Sequence, residues 1–141
     1  MLVRDFMTCD VTTIDEHDNL LDTTLAFRRT HFRHLPVLAA DKLVGIVTEG
    51  DVRQFLPSLM SRAGAEEYNQ ILESTPVSKV MTRNPLTVGP QQPVAEAAHL
   101  LFTHHIGCLP VVEEGELKGV ISTTDMLRLL IYLTRERPSQ P

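Results

Sequence analysis

The sequence predicts an α/β chain of the α+β type, built from two β-α-β-β-α repeats packed as a pseudo-two-fold pair. Two observations carry this. First, Gly45-Ile46-Val47-Thr48-Glu49-Gly50-Asp51 returns as Gly119-Val120-Ile121-Ser122-Thr123-Thr124-Asp125, 74 positions on (119 − 45). The same offset relates Met7-Thr8 to Met81-Thr82, Thr13 to Thr87, His31 to His105, Leu35-Pro36-Val37 to Leu109-Pro110-Val111 and Leu43 to Leu117. Residues 3–53 thus align with 77–127 without a gap, the mark of an internal duplication. Second, each half carries one segment of helical period followed by two apolar runs joined by a polar tip, too little to cover its own sheet.

The elements follow in order. Met1–Met7 forms a short lead-in turn, echoed by Val77–Met81, and Thr12-Thr13-Ile14 and Leu86-Thr87-Val88 are short β-prone segments. A helix follows in each half. Asn19 caps the first, with Asp22 at the third helical position as in a capping box, and Leu20, Thr23, Thr24, Phe27 and His31 share one face. Pro93 starts the second, where its missing N–H costs little, and Val94, Ala97, Ala98, Leu101 and His105 repeat the spacing. Leu35–Leu38 and Leu43–Val47 read as a hairpin around Ala39-Ala40-Asp41-Lys42, as do Leu109–Val112 and Leu117–Ile121 around Glu113-Glu114-Gly115-Glu116. A second helix starts at Thr48 and at Ser122, the latter continuing as an apolar stretch over Met126–Leu133. Repeat 1 is placed at 1–56, a helical linker at 57–76, repeat 2 at 77–133 and a polar tail at 134–141. Leu56, Leu59, Met60, Tyr68, Ile71 and Leu72 make the linker a pair of helices that pack.

Composition narrows the function. With 141 residues, 43% of them hydrophobic, the chain is sized for one domain or for two halves sharing a core. A net charge of −5 with interspersed signs argues against a nucleic-acid surface. No apolar run approaches the ~18–20 residues that span a bilayer, and the N-terminus lacks signal-peptide form, so a cytoplasmic setting away from membranes is expected. Cys9 and Cys108 make no disulfide framework.

The repeated Thr/Ser-x-x-Asp has two readings. It is a capping box, in which the hydroxyl takes a helical N–H and the acid reaches back. It also places a carboxylate and a hydroxyl at a strand-to-helix junction, where they can face a crevice. Glutamate closes a capping box more readily than the shorter aspartate, which tilts Asp51 and Asp125 towards a ligand. His31, His34 and the pair His104-His105 raise a metal site, but no cysteine or carboxylate stands at structural-zinc spacing, so packing or helix-end roles are favoured and no metal ligand is assigned. No nucleophile–base arrangement, Walker-type loop or acid pair appears, and no catalytic residue is assigned.

A β-α-β-β-α repeat carrying Leu-Pro-Val and then Gly-apolar-apolar-Thr/Ser-x-x-Asp, with Met-Thr upstream, resembles the cystathionine-β-synthase (CBS) domain. The tandem resembles a CBS pair, or Bateman module, over about two-thirds of the chain. The opening Met1–Thr8 and the absence of an attached enzyme resemble stand-alone bacterial CBS pairs of the acetoin-utilisation-accessory type. The resemblance implies two pseudo-symmetric clefts that bind adenosine-containing ligands. In it, Asp51 with Thr48 and Asp125 with Ser122 hold ribose and phosphate. Thr12, Thr13, Ile14, His34, Leu35 and Pro36 wrap the base in one cleft, and Leu86, Thr87, Val88, Cys108, Leu109 and Pro110 in the other. Arg33, just before Leu-Pro-Val, contacts phosphate, and Gly107 at the equivalent position leaves the clefts unequal. Cys108 is then pocket wall, not nucleophile.

The expectation is a regulatory adenine-nucleotide sensor (AMP, ADP or ATP, with or without Mg²⁺) that requires no cofactor and has no output domain of its own. It would act as a homodimer and signal through an effector protein. Two alternatives stand beside it: a structural or partner-docking pair with empty clefts, and a binder of S-adenosylmethionine or another adenosyl ligand.

Overall fold

Local chemistry accounts for most of the secondary structure. The computed structural model describes residues 1–56 and 64–135. In chain order these form α1 (Val3–Phe6), β1 (Ile14–Asp15), α2 (Leu20–Arg29), β2 (His34–Ala39), β3 (Lys42–Thr48), α3 (Glu49–Phe55) and α4 (Ala65–Ser74). A 3₁₀ turn (Val77–Lys79), β4 (Thr82–Arg83), α5 (Val94–His104), β5 (Cys108–Glu113), β6 (Glu116–Ser122) and α6 (Thr123–Thr134) follow. The second linker stretch is thus helical. The first, with Leu59 and Met60, lies outside the described residues, as does the tail beyond Arg135.

The two hairpins are copies of one another. His34 pairs with Thr48 and Ala39 with Lys42, and Cys108 with Ser122 and Glu113 with Glu116. Both carry a register irregularity at the same place, Val37/Leu38 and Val111/Val112. Each tip is a two-residue turn with both residues at positive φ, Ala40 (49°) and Asp41 (66°) in one, Glu114 (51°) and Gly115 (80°) in the other. That is the primed turn whose twist suits a hairpin.

Two compact bodies result, Val11–Pro85 and Met1–Asp10 with the chain from Leu86. In the first, the sheet order is β1-β2-β3-β4, with β1 parallel to β2 and the other pairs antiparallel. The second keeps this plan, its outer strands reduced to single bridges. Val88 pairs with Val111 as Ile14 does with Val37, and Thr8 pairs with Val120 as Thr82 does with Ile46. The fourth strand therefore comes from the lead-in of the other repeat. The cores record the exchange. Val77 and Met81 are buried with Leu20, Leu35, Val37 and Val47, whereas Val3 is buried with Val94, Leu101, Leu109 and Ile121. Leu56 and Leu72 complete the first core, with Tyr68 partly buried against it.

This docking explains the motif glycine. A Cβ on Gly45 would stand 2.5 Å from Met81 Sδ and 2.9 Å from the Thr82 carbonyl. On Gly119 it would collide with the Thr8 carbonyl, part of a backbone pair in which Thr8 and Val120 exchange N–H···O bonds of 2.8 and 3.0 Å.

Two local expectations need correction. The Asn19 side chain accepts from the Asp22 N–H at 2.8 Å, but the reciprocal half of that capping box is absent among the described residues. The Leu20 N–H, a separate donor of the first turn, goes to the Thr75 carbonyl at 2.9 Å. His31 does not share the α2 face. The helix ends at Arg29, where Thr30 Oγ1 donates back to the Ala26 carbonyl, and His31 lies beyond it, exposed. His105, its counterpart, closes α5 in the left-handed conformation at φ 53°.

Candidate functional site

Each candidate site lies where the last strand of a hairpin passes into a helix. Thr48 and Ser122 are extended residues that end β3 and β6 and cap α3 and α6. Both capping boxes are complete. Asp51 accepts from the Thr48 N–H through Oδ2 at 2.9 Å and returns its own N–H to Thr48 Oγ1 at 3.0 Å. Asp125 does the same with Ser122, at 2.9 and 3.3 Å. A main-chain bond ties the neighbouring strand to each junction. The Glu49 N–H donates to the Arg33 carbonyl at 3.2 Å, and the Thr123 N–H to the Gly107 carbonyl at 3.0 Å. The duplicated backbone therefore brings Arg33-His34 beside Thr48 and Asp51, and Gly107-Cys108 beside Ser122 and Asp125.

The side chains on this shared frame differ. His34 is held below its ordinary pKa of 6.5 chiefly by burial, and further by Arg33, against the pull of the Asp51 carboxylate. Cys108 is pushed up to about 12 by burial and by Asp125, which keeps a protonated, unreactive thiol at neutral pH. Arg33 is exposed, tied to the first site through its backbone carbonyl and close enough to act electrostatically on His34.

The two aspartates are also used differently. Asp125 is 3% exposed. Besides the Ser122 N–H, its carboxylate accepts from Ser122 Oγ at 3.1 Å and from Thr8 Oγ1 at 3.3 Å, and it pairs with Arg128 Nη1 at 3.5 Å. Asp51 is half-buried, and only Oδ2 accepts a hydrogen bond among the described residues. Sequence reasoning does not reach Thr8 or Arg128. Arg128 is legible as an i, i+3 partner of Asp125, whereas the Thr8 contact depends on the exchanged strand.

The remaining predicted residues divide by burial. Ile14, Val88, Leu35, Pro36, Leu109 and Pro110 are all buried, so their side chains belong to the sheet and core and their main chain is what they can present to a ligand. Thr12 is half-buried, and Thr13, Leu86 and Thr87 are exposed. Because β1 runs parallel to β2 with Ile14 opposite Val37, Thr12 and Thr13 lie towards the His34 end of β2. The Val88–Val111 bridge puts Leu86 and Thr87 towards Cys108 in the same way. Two shallow depressions of about 470 and 490 Å³ surround the start of α5, between them lined by Gln92, Glu96, His99 and Glu113 among others. Neither includes a residue of the strand-to-helix sites. Among the described residues no cluster of three or more His, Cys, Asp or Glu is placed to hold a metal ion, and no helix is long and apolar enough to cross a membrane.

Fold and geometry define a duplicated α+β module with paired candidate sites at its strand-to-helix junctions. The chain belongs to the CBS domain family, which it matches twice, over residues 3–58 and 77–132. A CBS domain-containing protein of Dictyostelium discoideum is 34% identical over 143 residues, covering 99% of this chain and 98% of the relative. Among solved structures, a protein assigned to acetoin utilisation (AcuB) from Vibrio cholerae is 31% identical with a TM-score of 0.77, over 94% of this chain and 92% of that one. The CBSX2 protein, solved in complex with AMP, is 26% identical with a TM-score of 0.76, over 95% of this chain and 98% of that one.

Proposed function

We propose that this protein is a regulatory module that binds an adenine nucleotide of the AMP, ADP or ATP type and reports its level to a partner protein. The observation that carries this reading is the grouping at the first junction of Thr48, half-buried Asp51 with one carboxylate oxygen unused among the described residues, and exposed Arg33, whose backbone carbonyl bonds to the Glu49 N–H. A carboxylate beside a hydroxyl suits the vicinal hydroxyls of a ribose, and a guanidinium suits phosphate, which it binds bidentately. Family membership and the AMP complex of a similar protein support the same ligand class. Mg²⁺ would accompany ATP as part of the ligand. In this reading the two sites bind and do not react: at the second junction burial keeps the Cys108 thiol protonated, and at the first His34 is held below its ordinary pKa beside an Asp51 that is engaged in the helix cap.

The module works as a homodimer in this reading. Leu127, Leu130, Ile131, Tyr132 and Leu133 of α6 are between 54 and 66% exposed, and a helix apolar on nearly every side is normally covered.

A thermal-shift screen of AMP, ADP, ATP with and without Mg²⁺, and S-adenosylmethionine tests the ligand class. A ligand at ~100 Kd adds about 2.7 kcal/mol to the bound form. Stabilisation by at least one adenine nucleotide, lost in Asp51→Asn, supports the reading. A flat response to all of them overturns it. Stabilisation by S-adenosylmethionine alone replaces the nucleotide with an adenosyl ligand.

A further inference from the structure

A carboxylate offers about four acceptor positions. At Asp125 three hydrogen-bond donors meet them, the Ser122 N–H, Ser122 Oγ and Thr8 Oγ1, and Arg128 Nη1 adds an ion pair at 3.5 Å. At Asp51 the Thr48 N–H is the one donor among the described residues. A ribose hydroxyl arriving at Asp125 would have to displace partners in a site where the acid is 3% exposed. Displacing them without replacing their bonds is unfavourable, because a buried polar group stripped of its partner loses more than the bond itself contributes. The flanking chemistry reinforces the difference, since the cationic Arg33 has Gly107 as its counterpart.

We infer that the second site is closed to nucleotide by the chain's own Thr8 and Arg128, so that one ligand binds per chain, at Asp51. Thr8 reaches Asp125 because the lead-in of the first repeat supplies the fourth strand beside Val120. The equivalent Thr82 pairs with Ile46 in the same way but leaves its side chain exposed. Thr8 is thus a built-in occupant of one site with no counterpart in the other.

The inference rests on the nucleotide reading above, and calorimetric titration with AMP separates the two. Wild-type protein should bind one AMP per chain. Asp51→Asn should weaken that binding about ten- to a hundredfold, as expected for losing a charged hydrogen-bond acceptor, whereas Asp125→Asn should leave it within about twofold. Two AMP per chain in the wild type, or loss of binding in Asp125→Asn with Asp51→Asn unaffected, overturns the inference while leaving the nucleotide reading intact. No heat with AMP or the other adenine nucleotides overturns the nucleotide reading itself. Should Asp125→Asn fail to fold, Thr8→Val with Arg128→Gln gives the second test. This variant should gain a second, weaker AMP site, and a stoichiometry that stays at one removes Thr8 and Arg128 as the closing residues.

Discussion

His34 and Cys108 are one duplicated position whose chemistry has diverged, and the two can be interrogated separately. His34 has its pKa lowered from 6.5 in the folded protein, so the unfolded chain takes up a proton first as pH falls. The stability this contributes is present above about 6.5 and lost as pH drops through the lower folded value. Melting temperature should therefore fall on acidification below that point, and His34→Gln should flatten the fall. For Cys108, burial and a thiol pKa of about 12 predict that iodoacetamide labels the exposed Cys9 in the native protein and reaches Cys108 only on unfolding. Peptide mass spectrometry at successive times distinguishes the two. Asp51 carries a structural role as well as the proposed one. Removing its cap with Asp51→Ala should lower stability by about 0.5–2 kcal/mol in denaturant titrations, whereas Asp51→Asn keeps an acceptor and isolates the effect on ligand.

At the scale of the element, the hairpin tips and the glycine contacts decide how well each sheet closes. Ala40 sits at φ 49° without the tolerance of glycine or asparagine, a conformation that costs an ordinary L-residue roughly 1–2 kcal/mol. Replacing Ala40-Asp41 by Asn-Gly should stabilise the first body by about 1 kcal/mol, read as a higher urea midpoint at unchanged slope. Gly119→Ala should have the opposite effect, of about 1–3 kcal/mol, since the obstructing atom is a paired backbone carbonyl. Gly45→Ala should be milder, because its nearest obstacle is the Met81 side chain and the backbone carbonyl it meets, that of Thr82, stands farther off at 2.9 Å. The glycines are plain in the sequence as the head of a repeated motif. Their reason is not, because the atoms that exclude a Cβ belong to Thr8, Met81 and Thr82, which lie far from them in the chain.

For the molecule as a whole, the duplication supplies two bodies of one plan, and the exchanged fourth strands tie each repeat's lead-in to the other repeat's hairpin. Cutting the chain within the linker and producing the halves separately would part Thr8 from Val120 and Thr82 from Ile46, so neither half alone keeps its complete sheet. The apolar outer surface of α6 is the corresponding expectation for assembly. Leu127→Glu with Ile131→Glu should shift sedimentation velocity from dimer to monomer, and an already monomeric wild type would refute the dimer proposed here.

By itself the sequence determined the repeat, the hairpins, the capped helix starts and the pairing of Thr48 with Asp51 and Ser122 with Asp125. All of these are set by residues a few positions apart or by a constant offset, and local hydrogen bonds and hydrophobic period express both directly. Tertiary structure alone decided which strand completes each sheet, why Gly45 and Gly119 carry no side chain, and which acid keeps an unused oxygen. Those outcomes depend on contacts between segments distant in the chain. The Thr8 hydroxyl meets Asp125 across 117 positions, and no pattern read along one strand or helix encodes such a meeting.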